Sequence, residues 1–195
     1  MNYFTSDLHL GSNEKLKREN RPFKNDKDYY KKQIKVINKK VHLWDKLYVI
    51  GDLCNYNRIS HNWKVGLKAM KDIHCDVILI IGNNEQRVID DKFRGSFNLF
   101  RNYCIKLGFK DVKEDAYAKV NGTKVYLNHF PSKHKNGIIT LFGHTHKATG
   151  LYKPYGLNVG VDLNNFEPYS EADIEELLER KKKWWDNDVD INCNK

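Results

Sequence analysis

Five short polar clusters, each set at the end of an apolar run, constrain this chain more than any other feature. They read Asp7-x-His9, Gly51-Asp52, Gly82-Asn83-Asn84-Glu85, Asn128-His129 and Gly143-His144-x-His146. The runs at 2–5 (NYFT), 46–50 (KLYVI), 77–81 (VILII) and 138–142 (IITLF) are short and rich in β-branched and aromatic residues, which predicts buried strands. In an α/β sheet the loops beyond the carboxyl ends of the strands gather at one edge, so groups far apart in sequence converge on one crevice. Asp, Asn and His supply mixed oxygen and nitrogen donors without thiolates, a set suited to manganese, iron, zinc or nickel. Glycines beside Asp52, Asn83 and His144 permit the sharp turns or close backbone approach that a crowded site needs. Each cluster alone is a weak signal, because an Asp or Asn often caps a turn and GHxH fits a surface loop. An ordinary set of turns does not explain all five in order.

Between the runs, Tyr30, Ile34, Ile37, Val41 and Trp44 recur at three- and four-residue steps and predict one face of a helix whose other face is lysine-rich. Trp63, Leu67 and Met70 predict a second helix, and Phe97, Phe100, Cys104 and Leu107 a third. The segments AYAKV and KVYLN flank Asn121-Gly122, the pair that best supports a two-residue hairpin turn. LNVGV (157–161) adds a further strand, and Ser170 with Asp173 caps a last helix through Ile174, Leu177 and Leu178. Strand and helix alternation followed by antiparallel strands predicts an α/β protein with mixed sheets. Residues 1–195 contain no repeat or low-complexity linker and read as one domain.

The net charge is +9, and residues 12–40 carry eleven Lys or Arg against four Asp or Glu. Such a balance fits a phosphate-bearing ligand or a nucleic acid, with a solvated face as the structural alternative. Cys54, Cys75, Cys104 and Cys193 are far apart without CxxC spacing, which argues against a disulfide framework and a thiolate zinc site and predicts free thiols in a reducing cytosol. No run approaches the roughly 18 apolar residues of a membrane helix. MNYFTSDLHL also lacks a signal-peptide layout, so a cytoplasmic protein without a membrane partner is expected. No motif speaks to oligomeric state.

The ordered set resembles the signature of the calcineurin-like metallophosphoesterase superfamily: D-x-H, G-D, G-N-H-[DE], a single His and G-H-x-H. The match spans residues 7–146, and NVGVD (158–162) resembles the closing strand of the small bacterial and phage members. The resemblance implies two facing mixed β-sheets flanked by helices, an αββα sandwich with two divalent cations at its edge, manganese first and iron, zinc, nickel or cobalt after it. Asp7, His9 and His146 would hold one cation, Asn83, His129 and His144 the other, and Asp52 would bridge both. Two cations about 3.5–4 Å apart can share a hydroxide at neutral pH and stabilise an in-line displacement. The implied activity is hydrolysis of a phosphate ester, on a nucleotide or another phosphorylated small molecule, by attack of that hydroxide.

One position departs from the pattern. In GNNE, Asn84 stands where the family has a His that contacts phosphate and protonates the leaving oxygen, and an amide cannot deliver a proton. General acid catalysis contributes about 10² to 10⁴-fold, so its loss tilts the expectation toward a phosphodiester. His134, in HFPSKHKNG, is a candidate replacement acid, set against the commoner solvent-exposed loop histidine. Arg87, Lys133 and Lys135 are candidate grips for a substrate phosphate. The alternatives are a phosphomonoesterase, a phosphatase or nuclease that processes nucleic acid, favoured by the basic 12–40 segment, and a scaffold without turnover, favoured by Asn84.

Overall fold

The computed structural model describes the backbone of residues 1–192 and side chains through 183, so Cys193 lies outside the described residues. In chain order the strands are β1 (Asn2–Thr5), β2 (Lys46–Ile50), β3 (Asp76–Ile80), β4 (Asp111–Lys113) and β5 (Ala116–Val120), then β6 (Thr123–Leu127), β7 (Thr140–Phe142), β8 (Tyr152–Lys153), β9 (Gly156–Asn158) and β10 (Tyr169–Ser170). The helices are α1 (Asn13–Arg18), α2 (Asp26–Lys40), α3 (Trp63–Lys68), α4 (Asn83–Lys92), α5 (Phe97–Leu107) and α6 (Glu171–Asn192). Two five-stranded sheets result, ordered β10-β1-β2-β3-β4 and β5-β6-β7-β9-β8. In the first, β1 to β4 are parallel and β10 joins antiparallel; the second mixes both directions.

Period-two alternation divides each strand of the first sheet between two cores. Phe4, Ile50, Ile78 and Ile80 face the second sheet and meet Val120, Val125, Leu127, Leu141 and Leu157. Tyr3, Leu47, Val49, Val77 and Leu79 pack the other way, with Ile37 of α2, Leu67 of α3 and Phe100 of α5. A sheet covered on both faces reads as continuous apolar runs, as β2 and β3 do. Each such side chain contributes about 1.5–3 kcal/mol on burial.

The first helical prediction ends differently from the structure. Asn25 caps α2 by accepting the Asp28 N–H at 2.9 Å, and Ile34 and Ile37 are buried as their spacing predicts. The periodicity continues to Trp44, but the helix stops before Val41, and Trp44 is 80% exposed. The Asp45 carboxylate accepts the His42 N–H at 3.0 Å and the N-terminal amine at 2.8 Å, so local hydrogen bonding makes a turn where the apolar pattern would extend a helix. The Asn121-Gly122 hairpin has φ of 45° and 88° at its two turn residues. Ser170 and Asp173 exchange bonds at 2.8 and 3.1 Å, the expected cap of α6. IITLF forms a strand only over its last three residues, and LNVGV only through Asn158.

Candidate metal centre

The five polar clusters emerge at the carboxyl ends of β1, β2, β3, β6 and β7 and meet at one edge of the sandwich. Residues 7–10 run beside 51–53, with N–H to O bonds from Asp7 to Gly51 (3.1 Å), His9 to Asp52 (2.8 Å) and Leu10 to Leu53 (2.9 Å). Asp7, His9, Asp52, His144 and His146 all have positive φ, from 47° to 73°. Non-glycine residues avoid this region at a cost of roughly 1–3 kcal/mol each, and they hold it only where neighbours dictate it. In D-x-H and H-x-H the left-handed residues alternate, and both side chains of each pair reach the shared centre. Gly51 has φ of 80°, and a Cβ there would overlap the His129 ring; one on Gly143 would overlap the Ser6 hydroxyl and the Asp7 carboxylate.

Around Asp7, His9 Nε2 lies 3.2 Å from His146 Nε2, 3.5 Å from Asp52 Oδ2 and 3.9 Å from Asp7 Oδ1. Across Asp52, His129 Nε2 lies 3.6 Å from Asp52 Oδ1 and 3.2 Å from Asn83 Oδ1, and His144 Nδ1 lies 2.9 Å from Asn83 Oδ1. Asp7 stands close enough to join both groups: Asp7, His9 and His146 offer ligand atoms within 4.8 Å of one another, and so do Asp7, Asp52 and His129.

The donor chemistry fits divalent cations. His129 Nδ1 donates to Ile50 O at 2.9 Å and His146 Nδ1 to Asp162 Oδ2 at 2.8 Å, which leaves both Nε2 lone pairs aimed at the centre. Asp7 and Asp52 are buried, and the donors that reach their oxygens are neutral: the Ser6 hydroxyl, the backbone N–H groups of His144 and Asn84, and the Asn84 amide. Buried carboxylates beside imidazole lone pairs need a compensating cation. Burial pushes the Asp7 carboxyl up. Burial, followed by the Lys15 charge, pushes His9 well below its ordinary range; burial, followed by the His129 charge, lowers His144. Both rings are therefore held in the neutral form that coordinates metal.

Supporting residues to which the sequence assigns no role complete the site. Arg21 grips Asp162 through two nitrogens at 2.8 Å each and also donates to the carbonyls of Asp7 (2.7 Å) and Leu8 (2.9 Å). Burial raises the Asp162 carboxyl, and the hydrogen bonds from His146 and Arg21 more than reverse this, leaving it at about 2. Glu85 is buried and accepts the N–H groups of Asp52 (2.8 Å), Gly82 (2.9 Å) and Cys54 (3.1 Å), so it ties the β2 loop to the start of α4. Its sequence signal was its place in GNNE; Arg21 and Asp162 gave none beyond the basic segment and the NVGVD strand. Asn84 lines the cleft with its amide already engaged: its Nδ2 donates to Asp52 Oδ2 at 2.6 Å and its Oδ1 accepts the Tyr56 N–H at 2.9 Å.

The cleft over the ligands, about 280 Å³, is lined by Lys15, Arg18, Tyr56 and Arg87. Lys15 Nζ reaches His146 Nε2 at 3.1 Å. Lys133 lines a neighbouring cavity instead. His134 and Lys135 stand apart from the cluster. The His134 ring stacks on Tyr155 at 4.0 Å, and Lys135 donates to the Tyr117 hydroxyl at 2.9 Å over the aromatic rings of the second sheet. Both line a separate cavity, so the expected replacement acid is not in the cleft.

A family model for calcineurin-like phosphoesterases matches residues 3–193. The chain belongs to this family. It is a metal-dependent phosphoesterase, and the buried Asp and His groups above form two clusters that could hold a divalent metal ion. No curated protein sequence matches it. Among solved structures it is similar to AQ665, a protein of unknown function from Aquifex aeolicus, at 19% identity and a TM-score of 0.62, over 91% of this chain and 98% of that one. YfcE, a phosphoesterase from E. coli, aligns at 14% identity and a TM-score of 0.44, over 82% and 77% of the two chains. The phosphoesterase has three free cysteines among its described residues, and no described helix is long and apolar enough to cross a membrane.

Proposed function

We propose that the chain is a phosphodiesterase acting on a nucleotide or another small phosphate ester through two divalent cations. Asn84 carries this proposal. Both ends of its amide are committed, to Asp52 and to the Tyr56 N–H, and neither is a proton source. Monoester transfer passes through a loose transition state that loads charge on the leaving oxygen, so a missing proton donor costs most there.

Asp7, His9 and His146 would hold one cation, Asn83, His129 and His144 the other, with Asp52 between them. Bound there, the cations supply Lewis acidity and lower the pKa of water. The chain's own residues do the rest. Asn84 and the α4 N-terminus fix the Asp52 carboxylate, Asp162 fixes the His146 ring, and Lys15, Arg18 and Arg87 offer charge to the phosphate oxygens.

The test is manganese-supported turnover of bis(4-nitrophenyl) phosphate against 4-nitrophenyl phosphate and glycerol phosphate. The diester is expected to show the higher kcat/KM by about tenfold or more, within the range of one lost general acid. Asn84→His should narrow that ratio, and Asp52→Asn should abolish turnover of all three. A monoester preference in the wild type overturns the proposal. A second substrate class, nucleic acid, is favoured by the exposed Lys27, Lys31 and Lys35, which form an i, i+4, i+8 stripe on α2 without an ion pair among the described residues. Oligonucleotide binding on that stripe must weaken steeply with salt.

A further inference from the structure

Beside the cleft lies a second cavity of about 460 Å³, and the two share Asn83 and Arg87. Its size falls in the range of small-molecule sites, which combine apolar walls with a few placed polar groups. Ile81 and the half-buried Phe130 ring form apolar wall, and Phe130 stands 5.0 Å from the His144 ring, so the cavity adjoins the candidate metal ligands. Arg87, Glu114 and Ser132 line it with no hydrogen bond or ion pair from their side chains among the described residues. The Lys133 ammonium lies 5.2 Å over the Phe130 ring.

We propose that this cavity is a nucleobase subsite, which takes the base of a nucleotide whose phosphate lies at the metal centre. A heterocycle has apolar faces and a polar edge. The faces match Phe130 and Ile81, and the edge matches the unpartnered Glu114 carboxylate and Ser132 hydroxyl. A carboxylate accepts from an exocyclic amino group, so bases that carry one are favoured. Arg87, at the junction of the two cavities, falls where the phosphate links the base-bearing arm to the reacting centre. An acyl chain would leave Glu114 and Arg87 without partners, and a bare phosphate would leave Phe130 and Ile81 uncovered.

The subsite rests on the phosphodiesterase proposal only for the position of the phosphate, and it is tested without turnover. Isothermal titration of the manganese-loaded protein compares the 5′-phosphonates of guanosine, adenosine, cytidine and uridine with methylphosphonate; their C–P bonds are not phosphoesters. At least one nucleoside phosphonate is expected to bind about tenfold or more tightly than methylphosphonate, the scale of one base stacked on an aromatic ring. Ser132→Trp, which fills the cavity from an exposed turn, should remove most of that advantage. Glu114→Ala, a truncation of an exposed side chain, should reduce it several-fold for bases with an amino group and leave uridine little changed. An advantage below tenfold for all four, or one that survives both variants, overturns the subsite. Failure to cleave diesters would sink the phosphodiesterase proposal and leave this binding result standing.

Discussion

On one side of Asp52, the side chains of Asp7, His9 and His146 are buried, and Asp162 takes His146 Nδ1 at 2.8 Å and is itself held by Arg21. On the other side, Asn83 is half-buried and His144 exposed, and the buried His129 is backed by a single backbone carbonyl. In the first half, the Asp162–Arg21 ion pair fixes the His146 ring, which is how outer residues raise the basicity and fix the aim of a ligating imidazole. The second half lies where the cleft and the neighbouring cavity meet, at Asn83. On the proposed reading, the first half would hold its cation more firmly and the second would lie nearer the substrate.

Breaking each half in turn gives the largest expected effect. His9→Ala should weaken binding of one cation about 100-fold or more, and His144→Ala about tenfold, both read by titration of metal-free protein with manganese. Equal losses would remove the distinction. Asp162→Asn leaves every ligand in place and should still cost roughly 10–100-fold in affinity at the first half, with the second half unchanged. Glu85→Gln sharpens the comparison from beneath the second half: an amide cannot accept at both positions as the carboxylate does, and urea unfolding should show a loss of about 1–3 kcal/mol. A further effect is in acid. The Asp162 carboxyl sits at about 2, below its ordinary value near 3.9, so its contribution is complete above about pH 4 and fades as pH falls toward 2. That contribution is on the order of 2 kcal/mol, and acid unfolding of Asp162→Asn should lack this pH dependence over that window.

The strands and the polar loops at their ends were legible because local rules govern both. Apolar runs such as VILII are strands by composition, and D-x-H or G-H-x-H marks its own loop. Trp44 misled because helical periodicity is blind to the Asp45 carboxylate that ends the helix. Arg21 and Asp162 were hidden for a different reason. They meet across 141 positions, and nothing within a short window distinguishes Arg21 from the other cations of the basic segment. The role of Asn84 was legible as a missing proton donor and illegible as a brace for Asp52, because a bracing contact depends on where a second loop comes to rest.

The His9 and His146 rings that meet at 3.2 Å are 137 positions apart, and Asn83 and His144 are 61 apart. A cation shared by either pair is therefore a removable cross-link between distant parts of the chain. By loop-closure entropy, closing the longer span adds little more than closing the shorter one, since the cost grows only with the logarithm of length. Taking the metal away would then remove one tie between the two sheets along the edge that their polar loops share, while the bonds from His144 N–H to Asp7 and from His129 Nδ1 to Ile50 O remain. Chelation should therefore loosen the rim and leave the two cores intact.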